Sequence, residues 1–80
     1  MNFGEAIEAL KRGTKVRRSG WNGKGMHLYL EKELSARIIG GMPVRKYEPV
    51  ICMYTAQGKH QPGWLASQAD MLADDWERVD

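Results

Sequence analysis

The sequence predicts an α+β domain: a small antiparallel sheet with an N-terminal helix and a short helix before the last strand. Three patterns point there. Phe3, Ala6, Ile7 and Leu10 recur at helical spacing; Met26, Leu28 and Leu30 alternate with His27, Tyr29 and Glu31; and residues 49–56 (PVICMYTA) form an apolar run bounded by turn formers.

Asn2 is a good helix cap, answered three residues later by Glu5, and Gly13 supplies the stop. From Thr14 to Arg18 the chain reads as extended, with Val16 between charged neighbours, and a glycine-rich loop follows. The alternation from Met26 to Glu31 reads as a strand with one face buried. Residues 33–48 have no clear period, because Gly40, Gly41 and Pro43 interrupt Ala36, Ile38 and Ile39; a mobile loop or a subunit contact is expected there. The run at 49–56 is apolar on both faces, which suits a strand in the middle of a sheet or at an interface, and Gln57-Gly58-Lys59 ends it as a turn. Ser67 caps a short helix with Asp70 at its third position, Met71 and Leu72 begin its apolar side, and Trp76 to Val79 alternates as a closing strand. Trp64 and Trp76 flank that helix and are large enough to anchor it on the sheet.

Eighty residues make one domain, 1–80, with a core so modest that self-association is an expected source of stability. The composition, 42% hydrophobic and 28% charged, is that of an ordinary globular domain. Net charge is only +2, with the basic residues concentrated before Lys59 and five acids after it, which permits an anionic ligand without demanding nucleic acid. The single cysteine, Cys52, lies in an apolar run and reads as core, so no disulfide framework or zinc site is expected within one chain. No run of about 18 apolar residues exists to cross a bilayer, and the N-terminus has no signal-peptide pattern, so a cytoplasmic site of action is expected.

The loop "GWNGKG" is the segment best suited to a ligand. Its glycines, Gly23 among them, let backbone N–H groups approach a phosphate; Lys24 with Arg17 or Arg18 adds charge, Trp21 offers a flat face for a purine, and Asn22 can both donate and accept. It matches neither a Walker loop nor a dinucleotide-binding glycine motif. A plain strand connection, with Asn22-Gly23 turning the chain and Trp21 filling the core, explains the same residues. Ser67 and Asp70 likewise suit ribose hydroxyls or a capping box alone. His27 and His60 lie apart with no nucleophile signature around them, and Asp70, Asp74 and Asp75 read as caps and turn formers rather than a magnesium site. No catalytic constellation, metal site or cofactor motif stands out, and Met26, Met42, Met53 and Met71 are adaptable fillers for a pocket or a subunit seam.

Joined together, "NFGEAIEALKRGTKVRRSGWNGKGM" and "TAQGKHQPGWLASQADMLADDW" resemble a small phage-encoded family of Thoeris anti-defence sponges. The likeness covers the first thirty or so residues and everything from about Ile51 onward. It implies a protein that binds glycocyclic ADP-ribose, an immune signal made by bacterial TIR proteins, and holds it uncleaved so that the downstream effector stays off. It also implies symmetric oligomers, dimers paired into tetramers, with pockets between subunits, in the host bacterial cytoplasm; some relatives of this kind bind cyclic dinucleotides at a separate site. Carried onto this chain, the resemblance gives Trp21 for stacking, Asn22 and Asp70 for polar contacts, Ser67 for ribose or phosphate, Met26 and Met71 as walls, and Gly23, Lys24 and Arg18 as further loop contacts. Two other readings stand beside it: a hydrolase using the acids from Asp70 to Asp75, and an adaptor binding nucleic acid or protein through Arg17, Arg18, Lys24, Arg45 and Lys46.

Overall fold

The computed structural model describes residues 1–32 and 48–80. The expectation placed on residues 33–48 lies outside them but for Glu48. The elements run α1 (Phe3–Lys11), β1 (Lys15–Arg18), β2 (His27–Glu31), β3 (Val50–Tyr54), β4 (His60–Pro62), α2 (Gln68–Leu72) and β5 (Trp76–Val79).

Helix α1 is set by its ends. The Asn2 side chain accepts from Glu5 N–H while Glu5 reaches back to Asn2 N–H, closing the capping box. At the other end Gly13 takes a left-handed conformation (φ 88°). Gly13 N–H then bonds Leu10 O at 2.9 Å and Thr14 N–H bonds Ala9 O at 3.0 Å, the paired bonds of a Schellman stop.

Among the described residues the four strand pairings are all antiparallel, in the order β4-β3-β2-β1-β5. Paired residues share a face, so the registers Val16↔Leu28 and Leu28↔Met53 put these three on one side with Trp76 and Ile51. That side meets Ala6, Ala9 and Leu10 of α1, and the core is Ala6, Ala9, Leu10, Val16, Leu28 and Trp76. Lys15, Arg17, His27, Tyr29, Cys52, Tyr54 and His60 stand on the other side. Cys52 is buried, as expected of it, and burial pushes its thiol up; it lies outside the α1-facing cluster.

Strand β3 sits between β4 and β2, the interior position its two apolar faces predict. The turn after it forms as expected, with Gly58 at φ 77° and Thr55 N–H bonded to Lys59 O at 2.8 Å. Strand β4 has no counterpart in the sequence reading: three residues ending in proline cannot show a two-residue period, and only an edge tolerates them.

Helix α2 corrects another expectation. Met71 and Leu72 do not start a packed apolar side; no residue of this five-residue helix is buried, and Leu72 is 80% exposed. One and a half turns cannot build a continuous face. Polar bonds fix the helix instead: Ser67 and Asp70 form the capping box, and the indole Nε1–H of Trp76 donates to Asp70 O at 2.9 Å. Trp76 therefore does anchor α2 on the sheet.

Candidate ligand site

Between β1 and β2 the chain turns through residues 19–26, and a cavity of about 290 Å³ opens beside this loop. Trp21, Asn22, Gly23, Lys24, Met26 and Arg18 line it, joined by Arg17, Ser19, Gly25 and Glu77. Six of the nine residues assigned to a ligand from sequence thus meet at one surface. Ser67, Asp70 and Met71 do not line it.

Trp21 is half-buried and has two surroundings. Behind, it belongs to a triangle of tryptophans, edge-on to Trp76 at 5.5 Å and to Trp64 at 6.4 Å, with Trp64 and Trp76 6.2 Å apart. In front lies the cavity. The core and ligand readings of this residue are therefore compatible. The triangle could not be read from sequence, because its members come from three separate segments.

The cations differ in how far they are committed. Arg18 donates from Nε to Asp75 at 2.9 Å and from Nη1 to Asp70 at 3.0 Å, with its side chain only 23% exposed. The hydrogen bonds it donates to Asp75 and Asp70 raise the guanidinium further above its already high value. Arg17 pairs with Glu77 at 2.8 Å. Among the described residues Lys24 forms no ion pair, so it is the lining cation open to an anion.

The loop is anchored at its start by Asp75. Its carboxylate accepts from Gly20 N–H at 3.0 Å and Ser19 Oγ at 3.4 Å, while its carbonyl accepts from Ser19 N–H at 3.0 Å. The Arg18 hydrogen bond, with the Gly20 N–H, holds the Asp75 carboxyl below its ordinary value despite some burial. For Asp70 burial acts upward, but bonds from Arg18 and Ser67 outweigh it and the net shift is downward. Asp70 accepts from Ser67 N–H at 3.1 Å and Ser67 Oγ at 2.9 Å, so it reaches the cavity only through Arg18. Both acids are occupied as acceptors, and among the described residues no group of three or more His, Cys, Asp or Glu is placed to hold a metal ion.

Close packing accounts for Gly23. A Cβ there would run into Met26 Sδ and lie 2.7 Å from Ala56 Cβ. Gly25 follows in a left-handed conformation (φ 78°), where a side chain is strained. Among the described residues Asn22 is exposed and makes no side-chain hydrogen bond, so its amide is open to a ligand. Met71 is 45% exposed on α2, outside the cavity wall.

Comparison with known proteins covers this loop together with nearly all of the chain. The Thoeris anti-defense 2-like domain matches residues 1–79. The Thoeris anti-defense 2 protein of Bacillus phage SP01 is 45% identical over 85 residues, an alignment covering 99% of this chain and 94% of that protein. With nearly the whole chain matched, and the cavity-lining loop inside the match, the protein belongs to the Thoeris anti-defense 2-like family.

Proposed function

We propose that this protein acts against Thoeris defence by capturing glycocyclic ADP-ribose in the cavity beside Trp21 and holding it intact. The observation that carries this reading is the half-buried indole beside an open cavity whose wall includes a glycine-rich loop and the uncommitted cation Lys24. An adenine stacks on the ring, and the phosphates take the loop amides and Lys24. Capture needs tight ground-state binding, which a rigidly anchored loop favours and transition-state complementarity does not.

A second copy of the chain completes the pocket in this proposal. The cavity, about 290 Å³, falls just short of the roughly 300–1,000 Å³ usual for small-molecule sites and is not enclosed. Leu65 and Leu72 are 88% and 80% exposed, and burying such side chains against a partner is favourable. Ser67 and Met71, on the same short segment as these leucines, then reach ligand across the subunit boundary.

The test is to incubate the protein with glycocyclic ADP-ribose, record its native mass, then heat it and separate what is released. A complex of several chains releasing unaltered ligand supports capture. Release of a linear product reassigns the protein as a hydrolase, and no bound ligand refutes the reading.

A further inference from the structure

We propose that His27, which does not touch the cavity, is a positioning residue that fixes the shape of the ligand loop; this rests on the capture reading above. The imidazole Nδ1 lies 2.8 Å from Gly25 O. A carbonyl can only accept, so Nδ1 carries the proton and donates. Across the same peptide, Met26 N–H donates to Gly23 O at 3.2 Å. The Gly25–Met26 peptide is therefore pinned at both its oxygen and its nitrogen, and that peptide closes the turn bearing Asn22, Gly23 and Lys24.

The ring itself is held. His27 stacks on Tyr54 with centroids 5.2 Å apart and planes 20° apart, and Tyr54 meets His60 edge-on at 5.2 Å. Nδ1 of His60 shares a 2.7 Å hydrogen bond with the hydroxyl of Tyr29. Tyr54 also lies under the loop: a Cβ on Gly25 would be 4.0 Å from its Cε2. All four side chains project from the sheet face opposite α1, whereas Leu28, next to His27, faces the other way. The sheet face opposite α1 thus supports the loop at Gly25, while the cavity is lined by the residues before and around it.

This assigns a role to two histidines that are far apart in sequence and carry no catalytic signature. Without the Nδ1 bond the Gly25–Met26 peptide keeps only one of its two restraints and the loop samples other shapes, so ligand must order it on binding. The effect is on affinity, with no contact to ligand removed.

The experiment uses His27→Asn, whose side-chain N–H occupies the place of Nδ1–H, and His27→Gln, whose N–H falls at the place of Nε2. For each, glycocyclic ADP-ribose binding is measured by calorimetry and hydrogen exchange of the Met26 amide is followed without ligand. His27→Gln is expected to bind about fivefold more weakly, the worth of one neutral hydrogen bond, and to exchange Met26 faster, while His27→Asn stays near wild type in both. Equal behaviour of the two variants, whether both intact or both impaired, overturns the proposal. Should wild type bind no ligand, the capture reading fails, and the Met26 exchange still decides whether His27 holds the turn.

Discussion

Arg18 and Asp75 are joined by a 2.9 Å hydrogen bond between residues 57 apart in the chain. Through it the end of β1 grips the turn before β5, and the same guanidinium holds Asp70 in the cap of α2 at 3.0 Å. Because Asp75 also receives Gly20 N–H, this ion triad positions the first residues of the loop 19–26. Arg18 lines the cavity, yet its charge is paired with two carboxylates through Nε and Nη1, so it shapes the site more than it charges it.

Stability should report that triad through its acid limb. Asp70 and Asp75 both have folded pKa values below their ordinary ones, so their contribution is fully present above about pH 4 and is lost as pH falls through the lowered folded values. Arg18→Met keeps an unbranched stem and removes the guanidinium that both carboxylates accept from. Its melting temperature is expected to lie below wild type at neutral pH, with the gap narrowing steadily as the solution is acidified. A gap that stays constant with pH would show that the carboxylates are not coupled to Arg18 in solution.

Gly23→Ala should perturb the loop from within. The added methyl meets Met26 Sδ and Ala56 Cβ, and overpacking of this kind costs about 1–3 kcal/mol. Urea unfolding is expected to show a loss in that range together with weaker ligand binding. Wild-type stability in this variant would mean that Met26 yields freely.

Lys24→Met removes the one lining cation that has no ion-pair partner among the described residues. Among the described residues no hydrogen bond or ion pair uses its ammonium, so the melting temperature should be unchanged while ligand affinity falls and its salt dependence flattens. Arg17→Met, by contrast, strips a guanidinium already engaged by Glu77 and should cost less affinity. Titrations of both variants at two salt concentrations separate these cases; the reverse ranking would move the anion away from Lys24.

Leu28→Ala tests where the core lies. Leu28 is fully buried between α1 and the middle of the sheet, and truncation of such a side chain costs about 2–5 kcal/mol. For a domain this small that is a large part of the total. Denaturant unfolding should therefore show a midpoint sharply lowered, whereas an effect under about 1 kcal/mol would argue against Leu28 at the centre of the core.

What was legible in the sequence is what is written locally. The two capping boxes, Asn2 with Glu5 and Ser67 with Asp70, each lie within four residues, and the alternation in β2 and β5 needs only its own strand. The loop 19–26 could be singled out because glycine, tryptophan and lysine are chemically conspicuous together. The connections made by the fold were not legible. Arg18 reaches acids 52 and 57 residues away, the tryptophan triangle spans residues 21, 64 and 76, and the row from His27 through Tyr54 to His60 crosses three strands. No periodicity encodes such pairings; register does. Conversely, Met71 and Leu72 resemble the start of a buried face only until the helix is seen to end at Leu72.

The most direct measurement is to titrate isotope-labelled protein with glycocyclic ADP-ribose and follow the indole N–H of Trp21 and the amides of residues 22–25 by NMR. These signals should move first and furthest and saturate at a fixed ratio of ligand to chain, with the ligand's own resonances remaining those of the intact molecule. Saturating shifts confined to other parts of the protein, with Trp21 and its loop unmoved, would contradict the account.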